Sequence, residues 1–206
     1  MRGIAVYLEG GGPGPDTREA LRLGMDAFPG DLRTRARARE MNRKLVACGG
    51  RDEAFAAWSS PTADTRYPIR LLLVDSEGPV SGGLADHLAN RREDRWPISH
   101  TDEERIHLMI QFMETWIAAD PSALTDFYGA GFRSEALPSQ HLLEGFRKKQ
   151  IEAALTKATK ATGKGRYHKT RHAPALLARI APHRVRERCP AGSRLFTVVG
   201  NLIQAA

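Results

Sequence analysis

The sequence predicts an α/β protein, with a parallel sheet flanked by helices in its first half and a mainly helical, basic second half. Three observations predict it. Short apolar runs alternate with helix-like segments at the spacing of crossover units, the connection that parallel strands require. Two of those runs, Ile4-Ala5-Val6-Tyr7-Leu8 and Ile69-Arg70-Leu71-Leu72-Leu73-Val74, finish in acidic residues followed by glycine. Charge then becomes one-sided: residues 140–206 hold 14 Lys and Arg against 3 Asp and Glu.

The first strand meets Glu9 and then Gly10-Gly11-Gly12-Pro13-Gly14-Pro15. A helix follows, with Asp16 as its expected cap and Glu19 placed three residues on to answer it as in a capping box. Ala20, Leu21, Leu23, Gly24, Met25 and Phe28 supply its buried side, and Pro29-Gly30 ends it. From Leu32 to Lys44 the chain carries Arg33, Arg35, Arg37, Arg39, Arg43 and Lys44, read as a helix with either a solvated basic face or a phosphate-gripping rim. Leu45-Val46-Ala47-Cys48 reads as a second strand, closed by Gly49-Gly50, and Arg51 to Trp58 as a short helix with acids in its first turn. A polar loop over residues 59–68 delivers the Ile69 strand, which ends in Asp75-Ser76-Glu77-Gly78-Pro79.

After residue 78 the expected elements are helices: one capped by Thr101-Asp102-Glu103-Glu104 and running to about Ala119, one near Ala123 to Tyr128, a basic one through Phe146 to Lys160, and two over Ala173 to Ala181 and Ser193 to Ala205. The division this predicts is an α/β core over 1–100 and a helical part over 101–206 that packs on the core and completes the site.

At 206 residues the chain is long enough to bury a continuous core. Its formal charge of +7 favours a polyanionic partner. Cys48 and Cys189 are the two cysteines, without a CxxC or a Cys/His cluster, which argues against a disulfide framework or a structural zinc site. The N-terminal apolar run spans five residues before Glu9, too short for a signal core or a membrane span, so the cytoplasm is the expected compartment.

The chemistry resides in the acids at the strand ends. Glycine after Glu9 permits close backbone approach by a phosphate, although the loop has neither the Gly-Lys-Ser/Thr of a Walker A motif nor GxGxxG spacing. Asp75 and Glu77 lie two apart, so both can reach one ion from the turn after the strand. Magnesium takes one or two carboxylates together with water and substrate phosphate. On the helix expected after Thr101, His107, Gln111 and Glu114 fall within about 60° of one another. That strip is either the wet side of the helix or, if it overlooks the acids, a fourth carboxylate in Glu114 and a proton carrier in His107.

Glu9, Asp75 and Glu77 together resemble the TOPRIM fold of primases, topoisomerases and the nucleases that accompany overcoming-lysogenization-defect-type ATPases. That family places a glutamate after its first strand and an Asp-x-Asp after a later one, where this chain has Asp75-Ser76-Glu77. Gln111-Phe112-Met113-Glu114-Thr115-Trp116 with Asp120, Cys48-Gly49-Gly50-Arg51-Asp52-Glu53-Ala54, and Tyr167-His168-Lys169 with His172 narrow the resemblance to the TOPRIM-like domain-of-unknown-function family 4276 over nearly the whole chain. Members of that family often stand beside ATPase genes in mobile or defence-related neighbourhoods.

The resemblance implies a Mg2+- or Mn2+-dependent nuclease, the effector of an ATPase-associated anti-phage system. The alternative is a non-catalytic binding or regulatory subunit of the same ATPase complex. Glu9, Asp75, Glu77 and Lys169 are the implied catalytic residues, with Lys169 supporting charge on the phosphate from a basic loop. The implied metal ligands are Glu9, Asp75, Glu77 and Glu114, and the nucleic-acid contacts are Arg51, Lys169, Arg171 and His172. Expected partners are nucleic acid and an AAA- or ABC-type ATPase, with self-association open and no membrane.

Overall fold

The central strands carry the fold. Ile69–Asp75 is apolar at nearly every position, the pattern of a strand covered on both faces, and four parallel strands form around it. A computed structural model describes residues 3–62 and 64–206; Ala63, in the loop expected over 59–68, lies outside them. In chain order the elements are β1 (Gly3–Gly11), α1 (Pro15–Ala27), α2 (Gly30–Ala38), β2 (Asn42–Gly49), α3 (Arg51–Ser59), β3 (Ile69–Asp75), α4 (Leu84–Asn90), β4 (Ile106–Met109), α5 (Met113–Ala118), α6 (Pro121–Tyr128), α7 (Lys148–Thr159), α8 (Lys169–Leu177), α9 (Pro182–Arg188) and α10 (Pro190–Ala205).

The strand order is β2-β1-β3-β4, every pair parallel. The chain leaves β1 outward to β2 and then crosses back to β3 and β4, so the order reverses between β1 and β3. Ligands of open parallel sheets bind at that reversal, beyond the carboxyl ends of the strands. Leu8 pairs with Leu73, which brings Glu9 and Asp75 to the same rim.

Alternation divides the sheet between two cores. Ile4, Leu8, Leu71 and Leu73 face α1, α5 and the C-terminal helices, sharing one cluster with Trp116, Leu155, Leu176 and Phe196. Ala5, Tyr7, Leu72, Val74 and Leu108 face the other way, toward Ala54 of α3, Leu88 of α4 and Trp96. The second half therefore has no core of its own on the first face: Phe28 of α1 lies 5.6 Å from the Trp116 ring and 5.5 Å from that of Phe196. No helix among the described residues is long and apolar enough to cross a membrane.

Several expected elements are corrected. The helix expected from Thr101 to Ala119 is a 3-10 turn (His100–Arg105), then β4, then α5. Ile106 to Ile110 is a short apolar run that periodicity cannot assign, and pairing of Leu72 to Asp75 with Ile106 to Met109 decides it as strand. The sheet thus draws its fourth strand from beyond residue 100. The capping box there is formed by Ser99 and Asp102.

At the front of α1, Gly14 occupies the cap and Asp16 lies in the first turn, without the Glu19 partnership. The helix expected to reach Lys44 stops at Ala38, and Arg43 and Lys44 belong to β2, whose pairing with β1 starts at Asn42. Lys169 opens α8 instead of lying in a loop, α9 was not anticipated, and α10 begins at Pro190.

A candidate metal centre at the end of the central strands

Asp75 is the last residue of β3 and only 3 % exposed. Its Oδ1 accepts the backbone N–H of Met113 at 2.9 Å, which ties the carboxylate to the first turn of α5. Glu9, at the same rim on β1, accepts the Asp75 backbone N–H at 3.1 Å and Arg51 Nη1 at 3.1 Å, both through Oε2. Glu77 lies in the turn beyond β3 at φ +60°, a left-handed conformation unusual outside glycine, so no strand face sets its direction. Its N–H donates to the Gln111 carbonyl at 2.9 Å, and its carboxylate takes Lys148 Nζ at 3.0 Å. One oxygen from each of Glu9, Asp75 and Glu77 lies within 4.8 Å of the other two.

Beside the acids, Gly10, Gly11 and Gly12 all adopt positive φ, at 121°, 89° and 65°. A Cβ on Gly11 would stand 2.7 Å from Arg18 Cα, so that position is closed to any other residue on packing as well as conformation. The cleft they border has a volume of about 250 Å³, and Thr17, Asp75, Lys169 and Thr170 complete its polar wall. Lys169 Nζ stands 3.8 Å from Asp75 Oδ2 and 4.0 Å from Glu114 Oε2, on a side chain 48 % exposed.

Glu114 departs from its expected role. It is 2 % exposed, yet it is not among the three carboxylates that converge. Tyr167 donates its hydroxyl to Glu114 Oε1 at 3.0 Å, and Glu114 Oε2 is buried without a hydrogen-bond partner. His107 is no proton carrier for these acids. It lies on β4, 1 % exposed, with Nδ1 3.3 Å from Arg194 Nη1. Burial and the Arg194 charge bring its pKa down to about 3, so the ring is neutral.

The expected nucleic-acid contacts separate. Arg51 is at the site but is gripped from behind: Asp94 takes Nε and Nη2 at 2.7 Å each, and the guanidinium lies 4.9 Å from the Trp96 ring centre. Its Nη1 also donates to the Asp75 carbonyl. His172 is 4 % exposed, with Nδ1 3.0 Å from the Tyr128 hydroxyl, and Arg171 Nε points to its Nε2 at 3.2 Å. His172 therefore holds α6 to α8 and offers no ring nitrogen to a ligand. On α2, Arg33 pairs with Asp26, and Arg35 donates to the Gly200 carbonyl.

Burial pushes the Asp75 carboxyl well above the usual carboxylate range, and the Glu9, Glu114 and Glu77 charges add to it while Lys169 opposes them. Burial also raises Glu9, against the pull of Arg51. For Lys169 burial acts downward, but Glu114 and Asp75 outweigh it and leave the ammonium held charged. Burial and the Glu114 charge push Tyr167 upward, so it remains a phenol donor.

Lys148, Asp94 and Tyr167 complete the site and were assigned no part in it from sequence. Tyr167 carries a signal in the sequence, as the aromatic residue in a basic stretch. Asp94 within Arg91-Arg92-Glu93-Asp94-Arg95 and Lys148 among many lysines carried no signal.

These features define a parallel α/β protein with a carboxylate trio at the reversal of strand order. The chain matches the family described as Domain of unknown function (DUF4276) over residues 10–199, and it belongs to that family. No curated protein and no solved structure matches it.

Proposed function

We propose that the chain is a Mg2+- or Mn2+-dependent nuclease on a TOPRIM-like sheet, hydrolysing phosphodiester bonds in DNA or RNA. The observation that carries this reading is the convergence of Glu9, Asp75 and Glu77 within 4.8 Å beside Lys169. The donor set is all carboxylate oxygen, which suits a hard divalent cation. The glycine cradle leaves backbone room for a phosphate.

Glu9, Asp75 and Glu77 would hold the ion, which supplies Lewis-acid activation of water and of a phosphoryl oxygen. Lys169 sets a fixed positive charge where negative charge grows on the phosphate. Glu9, with its carboxyl raised, is placed to take a proton at the rim. Arg51 is already oriented by Asp94 and presents a nitrogen to the same space. A polyanion would also meet a basic surface: Lys149, Lys157, Lys160 and Arg166, with Glu152 among them, line an open groove along α7.

From the TOPRIM resemblance the reading carries an AAA- or ABC-type ATPase partner and an anti-phage setting. A second reading, a non-catalytic subunit of such an ATPase complex, is favoured by one observation. Glu9 and Glu77 already have Arg51 and Lys148 as counter-charges, so the cluster is electrically supported without an ion.

Purified chain incubated with Mg2+ or Mn2+ and plasmid, single-stranded DNA or tRNA should show cleavage that chelation and Glu9→Gln both remove. Absence of cleavage with the ATPase partner present, together with no bound Mn2+, leaves the non-catalytic reading.

Metal affinity should depend on pH. A divalent ion must displace the proton that the raised Asp75 carboxyl retains, so affinity falls as pH drops through that raised value. Mn2+ titrations between about pH 5 and about pH 8 should show rising affinity and proton release, whereas an ordinary carboxylate, with pKa near 4, would give a flat profile over that range.

A further inference from the structure

We infer that the site takes a single divalent ion, and that Lys169, anchored by Glu114 and Tyr167, occupies the place a second ion would need. The inference rests on the metal-dependent reading above and deepens it.

Two-ion sites set their cations about 4 Å apart and bridge them with a shared carboxylate. Asp75 is the carboxylate here with a neighbour on each side. On one side it joins Glu9 and Glu77 in the converging trio. On the other, its Oδ2 faces Lys169 Nζ at 3.8 Å, and the same ammonium is 4.0 Å from Glu114 Oε2. The space between Asp75 and Glu114, where a second ion would find two carboxylates, already holds a positive charge.

Glu114 is built to keep it there. One of its oxygens is fixed by the Tyr167 hydroxyl at 3.0 Å, and the other is buried without any hydrogen bond. A buried carboxylate oxygen without a donor is costly unless an opposite charge stands near, and Lys169 is that charge. Tyr167 is itself fixed, its backbone N–H donating to Thr159 Oγ1 at 2.7 Å, two residues before Lys169 opens α8.

Charge balance agrees. Once an ion has displaced the Asp75 proton, the carboxylates of Glu9, Asp75, Glu77 and Glu114 face Arg51, Lys148 and Lys169, which leaves one net negative charge from the protein. Asp94, the other partner of Arg51, is balanced by Arg91 at 2.8 Å. One divalent ion turns the site to a single positive charge, which a phosphodiester neutralises. Two ions would leave an excess that nothing in the cleft offsets.

The test is Mn2+ stoichiometry on the metal-free full chain, by calorimetry together with electron paramagnetic resonance. The wild type should bind one ion with the spectrum of an isolated Mn2+. Lys169→Ala should admit a second ion and give a spin-coupled pair. Glu114→Gln should keep one ion and lower kcat about tenfold or more at nearly unchanged KM, because the ammonium loses its anchor, and Tyr167→Phe should do the same more weakly. Two ions in the wild type, or one in Lys169→Ala, would overturn the inference and leave the nuclease reading intact. No ion in the wild type would end both.

Discussion

Asp75→Asn should remove the proposed divalent-dependent cleavage, by about 10³-fold or more, and at the same time raise the melting temperature of the metal-free chain at pH above the raised Asp75 value. The loss follows from the position of Asp75 among the carboxylates, since a thousandfold corresponds to about 4 kcal/mol of transition-state stabilisation and an amide cannot supply the missing ligand charge. The gain follows from the same burial. Asp75 sits 3 % exposed among Glu9, Glu114 and Glu77, all pushing its carboxyl upward. Asn keeps the shape and an oxygen to accept the Met113 N–H, without the charge.

The sign sets the pH window. A carboxyl raised in the folded state contributes stability at low pH, and that contribution is lost as pH rises through the raised value. Below the raised value wild type and Asn variant should melt together, and above it the variant should be more stable by about 1–2 kcal/mol, or about 2–4 °C per kcal/mol at this chain length. Melting scans at about pH 5 and about pH 8 with chelator check it. An Asn variant that is less stable at both would mean that the cluster is stabilising as it stands.

Gly24→Val should separate α1 from α8 and weaken both fold and site. A Cβ on Gly24 would lie 2.3 Å from the Pro174 carbonyl oxygen and 3.0 Å from Pro174 Cα, so backbone meets backbone and no side chain can yield. Overpacking of this kind costs about 1–3 kcal/mol, and valine adds bulk beyond the Cβ. Pro174 lies on the helix that Lys169 begins, so the shift reaches the ammonium between Asp75 and Glu114.

The expected result is a fall in the denaturant midpoint together with activity lost beyond what unfolding explains. Gly30→Ala is the control: nothing stands within 4 Å of its added Cβ, and it should be nearly neutral. Equal stability in Gly24→Val and wild type would show that α1 and α8 can move apart freely.

What was legible in the sequence was whatever depends on neighbours along the chain. Ile4 to Leu8 and Ile69 to Val74 announce buried strands, and the glycines after Glu9 announce a loop whose three positive φ values no bulky residue would adopt. Asp75 and Glu77 could be paired with Glu9 because both stretches end parallel strands, and such ends share a rim. Local pattern misled where two structures compete for one apolar run. Ile106 to Met109 became strand because β3 had an open edge to pair, information that lies more than thirty residues away.

The sequence by itself therefore determined the α/β class, the acidic strand ends and the basic second half, all set by short-range periodicity, backbone sterics and composition. Only the tertiary structure decided which charges meet. It gave Arg51 to Asp94, Glu77 to Lys148, and Glu114 to Tyr167 and Lys169, and it withdrew His107 and His172 into the interior. The physical reason is that such pairings are fixed by the packing of distant helices against one sheet, where burial penalises an unpaired charge and strengthens the interaction with whichever partner lies in reach.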